Sequence, residues 1–356
     1  MAELFERDEH LDDFIEYIFD NPYNYIPRRY IRDRQNPVEY YSEGEFMTRY
    51  RFSKRTVIDV LLPMIALQNI SNRGMPVPPI LKLLTALRFF ASGSFQLVCA
   101  DLLQVSQPSV SQILKNVSAE LAAKLPLWVK RPSTEEEFAA IRNSFYAIAN
   151  FPGVVGCIDC THIPIKSPGG DLAEVYRNRK GWFSMNVQVV VGPSMEIMDI
   201  VCRWQGSVHD ARIFHNSRLK HRFEAGQMRG ILLGDSGYPL LPYLFTPVLH
   251  PTTGPERRYN TSHIRSRSIV ERTFGIWKRR FPCLSTKLRT KLSTSLKVIL
   301  ACAVLHNVAV RHHAPIPDQE RVIPVVDVPV HVYRGHNGRG AAERAALIQR
   351  HFSEEG

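Results

Sequence analysis

Three carboxylates in this chain stand where carboxylates are costly. Asp235 follows the apolar run of "LLGDSGYP" (residues 232–239), Asp159 interrupts the β-rich "VVGCIDCTHI", and Glu271 sits in the helical stretch "RSRSIVERTFGIWKRRF". An acid at the end of a strand is well placed for function in an open α/β sheet. An acid inside a core strand needs a metal, an arginine or several hydrogen bonds to offset its desolvation. At about 100° per residue, Arg267 lies about 40° from Glu271 and Lys278 about 20° away on the other side, so the three share one helical stripe. Taken alone, that stripe is equally a surface ion-pair ladder. Two strand aspartates and a helix glutamate can instead converge on one or two Mg²⁺ ions, with Mn²⁺ substituting, because hard cations prefer oxygen ligands. Two ions about 4 Å apart would activate water and stabilise the leaving oxygen of an in-line phosphodiester displacement.

Other residues near these acids invite roles. His209 and Asp210 in "GSVHDARIF" precede a helical pattern, which makes Asp210 an N-cap by preference and a supporting group of the site as the alternative. Arg177, Arg179 and Lys180 form a basic hairpin-like tip before Gly181, suited either to DNA phosphates or to plain solvation. His162 follows Asp159 in the same strand and is read as hydrogen-bonded structure, with a substrate contact as the alternative. "CIDC" has zinc-like spacing, but on a strand Cys157 and Cys160 point to opposite faces and no second ligand pair is near, so zinc is not expected. Cys302 and His306 are read as packing.

The elements that must position these groups follow from pattern. "GVVGCIDCTHIPIKS", "GWFSMNVQVVVGP" and "EIMDIVCRWQGS" read as strands. A helix from Asp210, the strand "GILLGD", a short strand "YLFTPVL", a helix from about Ser262 to Arg280 and an apolar helix at 293–311 come next. This order predicts an α/β mixed sheet flanked by helices. Upstream, "VPPILKLLTALRFFASGS", "FQLVCADLLQV" and "SQPSVSQILKNVSAELAAKL" read as three helices, the last with Ser106 as N-cap and Pro108 in its first turn. They form a helix-turn-helix candidate whose last helix would present Gln107, Ser109, Gln112 and Lys115 to DNA; a solvated bundle face is the alternative.

Charge agrees with a polyanionic partner. Residues 1–45 hold twelve acids and five bases, so an acidic segment of net −7 precedes a body carrying +18 of the total +11. Lys and Arg that neutralise phosphates release condensed counterions, which favours nucleic acid. No apolar run reaches about 18 uncharged residues, and the N-terminus is acidic, unlike a leader, so no membrane role is expected and the predicted compartment is nucleus, also cytoplasm. The six cysteines lie mainly in apolar segments and are read as buried free thiols.

The order strand-Asp, strand-Asp, helix-Glu, with 35 residues between Asp235 and Glu271, resembles a DDE transposase catalytic domain of RNase H-like fold. "GCIDCTHIPIKSP", "YRNRKGWFSMNVQVV", "GSVHDARIF", "LLGDSGYPL", "RSIVERTFGIWKRRFPCL" and "ILACAVLHN" together resemble the PIF/Harbinger superfamily, including its transposase-derived nucleases, over roughly residues 75–312. The resemblance implies that Asp159, Asp235 and Glu271 are the catalytic, metal-binding triad of a DNA endonuclease or transposase. A Tyr, Arg, Glu, Lys signature of wider relatives is matched by Arg267, Glu271 and Lys278, with Ile264 in place of the tyrosine. It also implies a Myb-like (SANT or trihelix) DNA-binding partner, and an enzyme processing two element ends is expected to be a homodimer. The expected domains are an acidic segment (1–45), a helical region with the helix-turn-helix (46–130), the RNase H-like endonuclease (131–313) and a Pro/Val-rich then Gly/Arg-rich tail (314–356), with a terminal helix at 341–352. A domesticated nuclease without transposition and a DNA-binding scaffold with an idle site are the alternatives.

Overall fold

Alternation of Val, Ile and Cys with glycine and short polar residues makes "VVGCIDCTHIP" a long central strand. In the computed structural model, which describes residues 36–65, 77–103, 105–171, 173–316, 333, 335 and 338–353, that strand is β1, Val154–Pro164. β2 (Ser184–Val191) pairs antiparallel with β1, and β3 (Ile197–Gln205) pairs antiparallel with β2. β4 (Ile231–Leu233) and β5 (Leu244–Phe245) add parallel pairs on the other side, giving the order β3-β2-β1-β4-β5. The mixed sheet expected from sequence is therefore present. β4 is so short that β1 has no parallel partner beyond Cys157, and this open edge is where the acids gather.

The helices follow the expected order with three departures. In the first unit, Met1–Tyr40, the described residues form a turn of helix, Pro37–Tyr40, whose Val38 N–H donates to Asn36 Oδ1. The rest of the predicted acidic segment, residues 1–35, and tail residues 317–332 lie outside the described residues. The second unit, Tyr41–Gly356, begins with α1 (Glu43–Tyr50), opened by a Ser42/Glu45 capping box. Next come α2 (Pro79–Ser92), α3 (Gln96–Leu103), α4 (Gln107–Ala123) and α5 (Glu135–Ala149). Between Asp210 and Glu224 the single expected helix is two, α6 (Asp210–His215) and α7 (Arg218–Glu224), because Ser217 Oγ accepts from Lys220 N–H and caps a new start. α8 (Gly254–Arg280) begins eight residues before the expected Ser262, at a Thr253/Glu256 capping box with Pro255 in its first turn. The "YLFTPVL" strand shrinks to Leu244–Phe245. α9 (Leu292–Arg311) and α10 (Gly338–His351) complete the unit.

α8 and α9 cover one face of the sheet, and α5, α6 and α7 the other. On the second face Phe138, Ile158, Val190, Phe214, Leu219, Phe223 and Leu232 form one buried cluster. Trp277 of α8 is fully buried and its indole N–H donates to Cys302 O of α9, which fixes the two helices against each other. α9 is long and apolar enough to cross a membrane by length and composition, a feature absent from the sequence expectation, but 72% of its apolar window is buried inside the protein. It packs on α4 and β3. His306 Nε2 bonds Met195 O at 2.8 Å in this core, and Cys302 faces Cys283, so both residues serve packing as expected. All six cysteines are free.

Candidate active site

The parallel register sets the first two acids side by side. Cys157 pairs with Leu233, so two residues further along each chain Asp159 and Asp235 are level at the end of β4. Asp159 uses one oxygen to accept from the Cys160 N–H at 2.8 Å. Asp235 accepts from Gly237 N–H at 3.0 Å, and its carbonyl accepts from Tyr238 N–H, which folds the chain into a tight turn. Gly234 fits tightly there: a Cβ would lie 3.1 Å from the Tyr238 ring and 3.2 Å from Leu244, so a larger residue would push these side chains by a few tenths of an ångström. The acid at the end of "LLGD" is thus held by its own turn, beside a neighbouring carboxylate.

α8 supplies the third acid and a base. Cys157 Sγ donates to Ser266 O, docking this helix on β1. At the next residue, Arg267 Nη1 donates to Asp159 Oδ2 at 2.9 Å and Nη2 to Glu271 Oε1. The stripe read from sequence is real and its base faces inward: the side chains of Arg267 and Asp159 are 20% and 16% exposed, whereas Glu271 is 57% exposed. Lys278 Nζ donates to His162 O at 3.2 Å, again reaching β1. A surface ion-pair ladder is therefore the wrong description of Arg267 and Lys278. Ile264 is an exposed side chain.

Asp210 corrects its expected role. The N-cap of α6 is His209, and Asp210 occupies the first helical position. Its Oδ1 accepts from Asn186 Nδ2 at 2.9 Å, while the same amide also donates to Val208 O at 2.8 Å. Asn186 went unnoticed in the sequence; a polar residue inside the apolar run "FSMNVQVVV" was its signal. His209 in turn bonds Arg179 Nη2, with Nε2 at 3.1 Å, so the basic tip is tethered next to the acids. Arg177 does not reach out from that tip: it pairs with Glu174, donates to Gly181 O at 2.7 Å and stacks over Phe183. Lys180 is exposed, and its N–H donates to Asn178 Oδ1.

Electrostatics single out the cluster. Burial pushes the Asp159 carboxyl up to about 7; Arg267 opposes this, and Asp235 and Asp210 add to it. Asp235 is raised for the same reason, with Arg267 again opposing and Asp210 and Glu271 contributing. Burial pushes His162 down to about 4 and Lys278 down to about 8, with Lys180 adding repulsion. Cys160 touches Tyr238 Oη at 3.3 Å, and burial raises both groups. Cys157 and Cys160 lie on opposite faces, as the strand reading of "CIDC" requires.

The donor chemistry fits a hard divalent ion. Asp159, Asp235 and Asp210 offer oxygen only, and burial leaves the first two short of positive compensation. The expected three-ligand set is not closed, however. Among the described residues no three His, Cys, Asp or Glu side chains surround a common point, because Arg267 stands between Asp159 and Glu271.

On the helical side, α4 starts where expected. Ser106 Oγ accepts from Ser109 N–H and the two hydroxyls are 2.8 Å apart, so Ser109 belongs to the cap and is half-buried. Gln107, Gln112 and Lys115 are exposed, with Gln107 donating to Gln96 and Gln112 to Asn116.

A five-stranded mixed sheet flanked by helices, with Asp159 and Asp235 level at the end of β4, is consistent with a DDE nuclease domain. The family model described as "DDE superfamily endonuclease" matches residues 158–307, a span holding all three acids. "Putative nuclease HARBI1" of Homo sapiens is 34% identical over 293 residues, covering 81% of this chain and 83% of its own length. Its Xenopus laevis counterpart is 33% identical over 278 residues, 76% and 79% of the two chains. "Protein ALP1-like" of Arabidopsis thaliana is 26% identical over 304 residues, 80% and 73%. No solved structure matches. The chain belongs to the Harbinger transposase-derived family of DDE superfamily endonucleases.

Proposed function

We propose that this protein is a divalent-metal-dependent DNA endonuclease of Harbinger transposase descent, with an RNase H-like core. The observation that carries the proposal is the level placement of Asp159 on β1 and Asp235 just past the end of the parallel β4, with Glu271 linked to the first through Arg267. Asp159 and Asp235 would hold Mg²⁺ or Mn²⁺, with Glu271 contributing from α8. When bound, such ions activate water and stabilise the leaving oxygen in phosphodiester cleavage. The chain's own residues prepare the site. Arg267 holds the Asp159 carboxylate in place and balances its charge. Asn186 orients Asp210 toward the same cluster, His209 tethers Arg179 beside it, and Lys278 braces β1 against α8.

DNA would reach this site along basic surface that includes Arg179 and Lys180. Three packed helices, α2 to α4, with Gln107, Gln112 and Lys115 exposed on the last, support a helix-turn-helix as a second DNA contact. A Myb-like partner, a homodimer and action in the nucleus belong to the same reading. Joining the freed 3′-hydroxyl to target DNA would make the protein a transposase; cleavage without joining would make it a domesticated nuclease. One observation favours a different reading, a DNA-binding scaffold with an idle site: Arg267 already neutralises two of the three carboxylates. Nicking of supercoiled plasmid by the full chain with a Myb-like partner, in Mg²⁺ or Mn²⁺ and again in EDTA, separates the two. Metal-dependent nicking supports the nuclease, and DNA retention without nicking supports the scaffold.

A further inference from the structure

The C-terminal segment holds the chain on both sides of β5 at three successive points, two of them on the connection that carries Asp235. Tyr333 N–H donates to Ser236 O at 2.8 Å, one residue after the acid. Gly340, buried at the start of α10, lies so close to the Leu240–Leu241 backbone that a Cβ would stand 2.6 Å from Leu240 O and 2.9 Å from Leu241 C. One turn further, Arg344 Nη1 donates to Thr246 O at 3.0 Å and to Pro247 O at 3.1 Å. α10 thereby covers β5, the edge strand, whose outer backbone would otherwise be open to pairing.

The far end of the segment is anchored as firmly. Phe352 packs edge-on against Phe151 and Tyr259, with ring centroids 5.6 and 5.7 Å apart. Arg258 Nε of α8 donates to Phe352 O at 2.9 Å, and His351 Nε2 bonds Asn150 O at the same distance. Two anchored ends, two contacts on the ten-residue connection between β4 and β5 and a third just past β5 exceed what covering an edge requires. The connection is also held by its own turn at Asp235 and by the buried Tyr238, but the strands that flank it are short: β4 is three residues long and β5 two.

From this juxtaposition we infer that Tyr333, Gly340 and Arg344 are positioning residues, a strap that sets the turn carrying Asp235 at the end of β4. The inference rests on Asp235 belonging to the active site. The strap acts on the backbone around Asp235 and not on the basic side chains proposed to hold DNA, so its loss lowers the rate of cleavage and leaves DNA affinity unchanged.

Hydrogen–deuterium exchange on the full chain tests it, comparing wild type with Arg344→Ala and Gly340→Ala. The expected result is about tenfold faster exchange at the Gly237, Tyr238 and Leu244 amides, with the β1–β2 ladder unchanged. Unchanged protection of the 235–244 connection in both variants overturns the inference, and so does equal acceleration throughout the sheet, which marks a general loss of stability. Where wild type nicks plasmid, the variants should lower kcat by about tenfold at constant KM, and a rise in KM alone contradicts the strap. A wild type that does not nick DNA refutes the nuclease reading, while the exchange result still decides whether the strap exists.

Discussion

Arg267 Nη1 lies 2.9 Å from Asp159 Oδ2, and this ion pair ties α8 to β1 at the strand's unpaired edge. The pair is mostly shielded from water, with the two side chains 20% and 16% exposed. Arg267→Ala leaves Asp159 as a buried carboxylate without its cation. We expect a stability loss of about 2 kcal/mol, below that of a fully buried pair because some solvent reaches this one. Divalent metal should recover part of the loss by taking the place of the guanidinium. Thermal unfolding of wild type and variant with and without Mn²⁺ checks this, and a deficit unaffected by metal would remove Asp159 from the proposed ion site.

Asn186 has one amide and two acceptors, Val208 O and Asp210 Oδ1. Asn186→Ala frees Asp210 from its orienting donor, at a cost of about 1 kcal/mol for the lost hydrogen bonds. Plasmid nicking by this variant should slow at unchanged DNA affinity. Normal nicking would show that Asp210 acts only as the first residue of α6.

The α4 contact predicts a separable binding defect. Replacing Gln112 and Lys115 by Ala should weaken DNA binding, and losing one phosphate contact should reduce the salt slope of log K by about 1. The metal concentration needed for nicking should stay the same. Affinity measured over a salt series reads this directly, and an unaltered slope would take α4 off the DNA.

His263 and His306 are buried, and burial pushes each down to about 4. Between about pH 6.5 and 4 the unfolded chain binds more protons at these sites than the folded one. Their contribution to stability is therefore complete above about pH 6.5 and is lost as the pH falls toward 4, at up to about 1.4 kcal/mol per pH unit for each histidine. Urea midpoints at pH 7.5, 6 and 5 should fall in that order. His306→Gln should flatten the trend, and an equally steep decline in that variant would assign the acid sensitivity elsewhere.

The sheet and the three acids were legible because their signals are local. Runs rich in Val, Ile and other apolar residues mark β1, β2 and β3, and a lone Asp in such a run declares itself. Arg267 was legible as a neighbour of Glu271 on one helical stripe, but its bond to Asp159 depends on how α8 docks through Cys157 and Ser266, which no window of sequence contains. The same limit explains Asp210. Its place before a helical pattern suggested a cap, whereas its partner Asn186 lies 24 residues upstream on β2. The start of α8 was missed because polar residues crowd its first two turns, and the Thr253/Glu256 capping box outweighs the absence of apolar periodicity there.

The most direct test of the central claim is metal-dependent nicking by wild type alongside Asp159→Asn, Asp235→Asn and Glu271→Gln, each confirmed as folded and with a Myb-like partner present. Nicking by wild type in Mg²⁺ or Mn²⁺ that disappears in all three variants, while each still binds DNA, is the predicted result. Equal nicking by wild type and all three variants would contradict the site, and DNA binding by wild type without any nicking would contradict the enzyme.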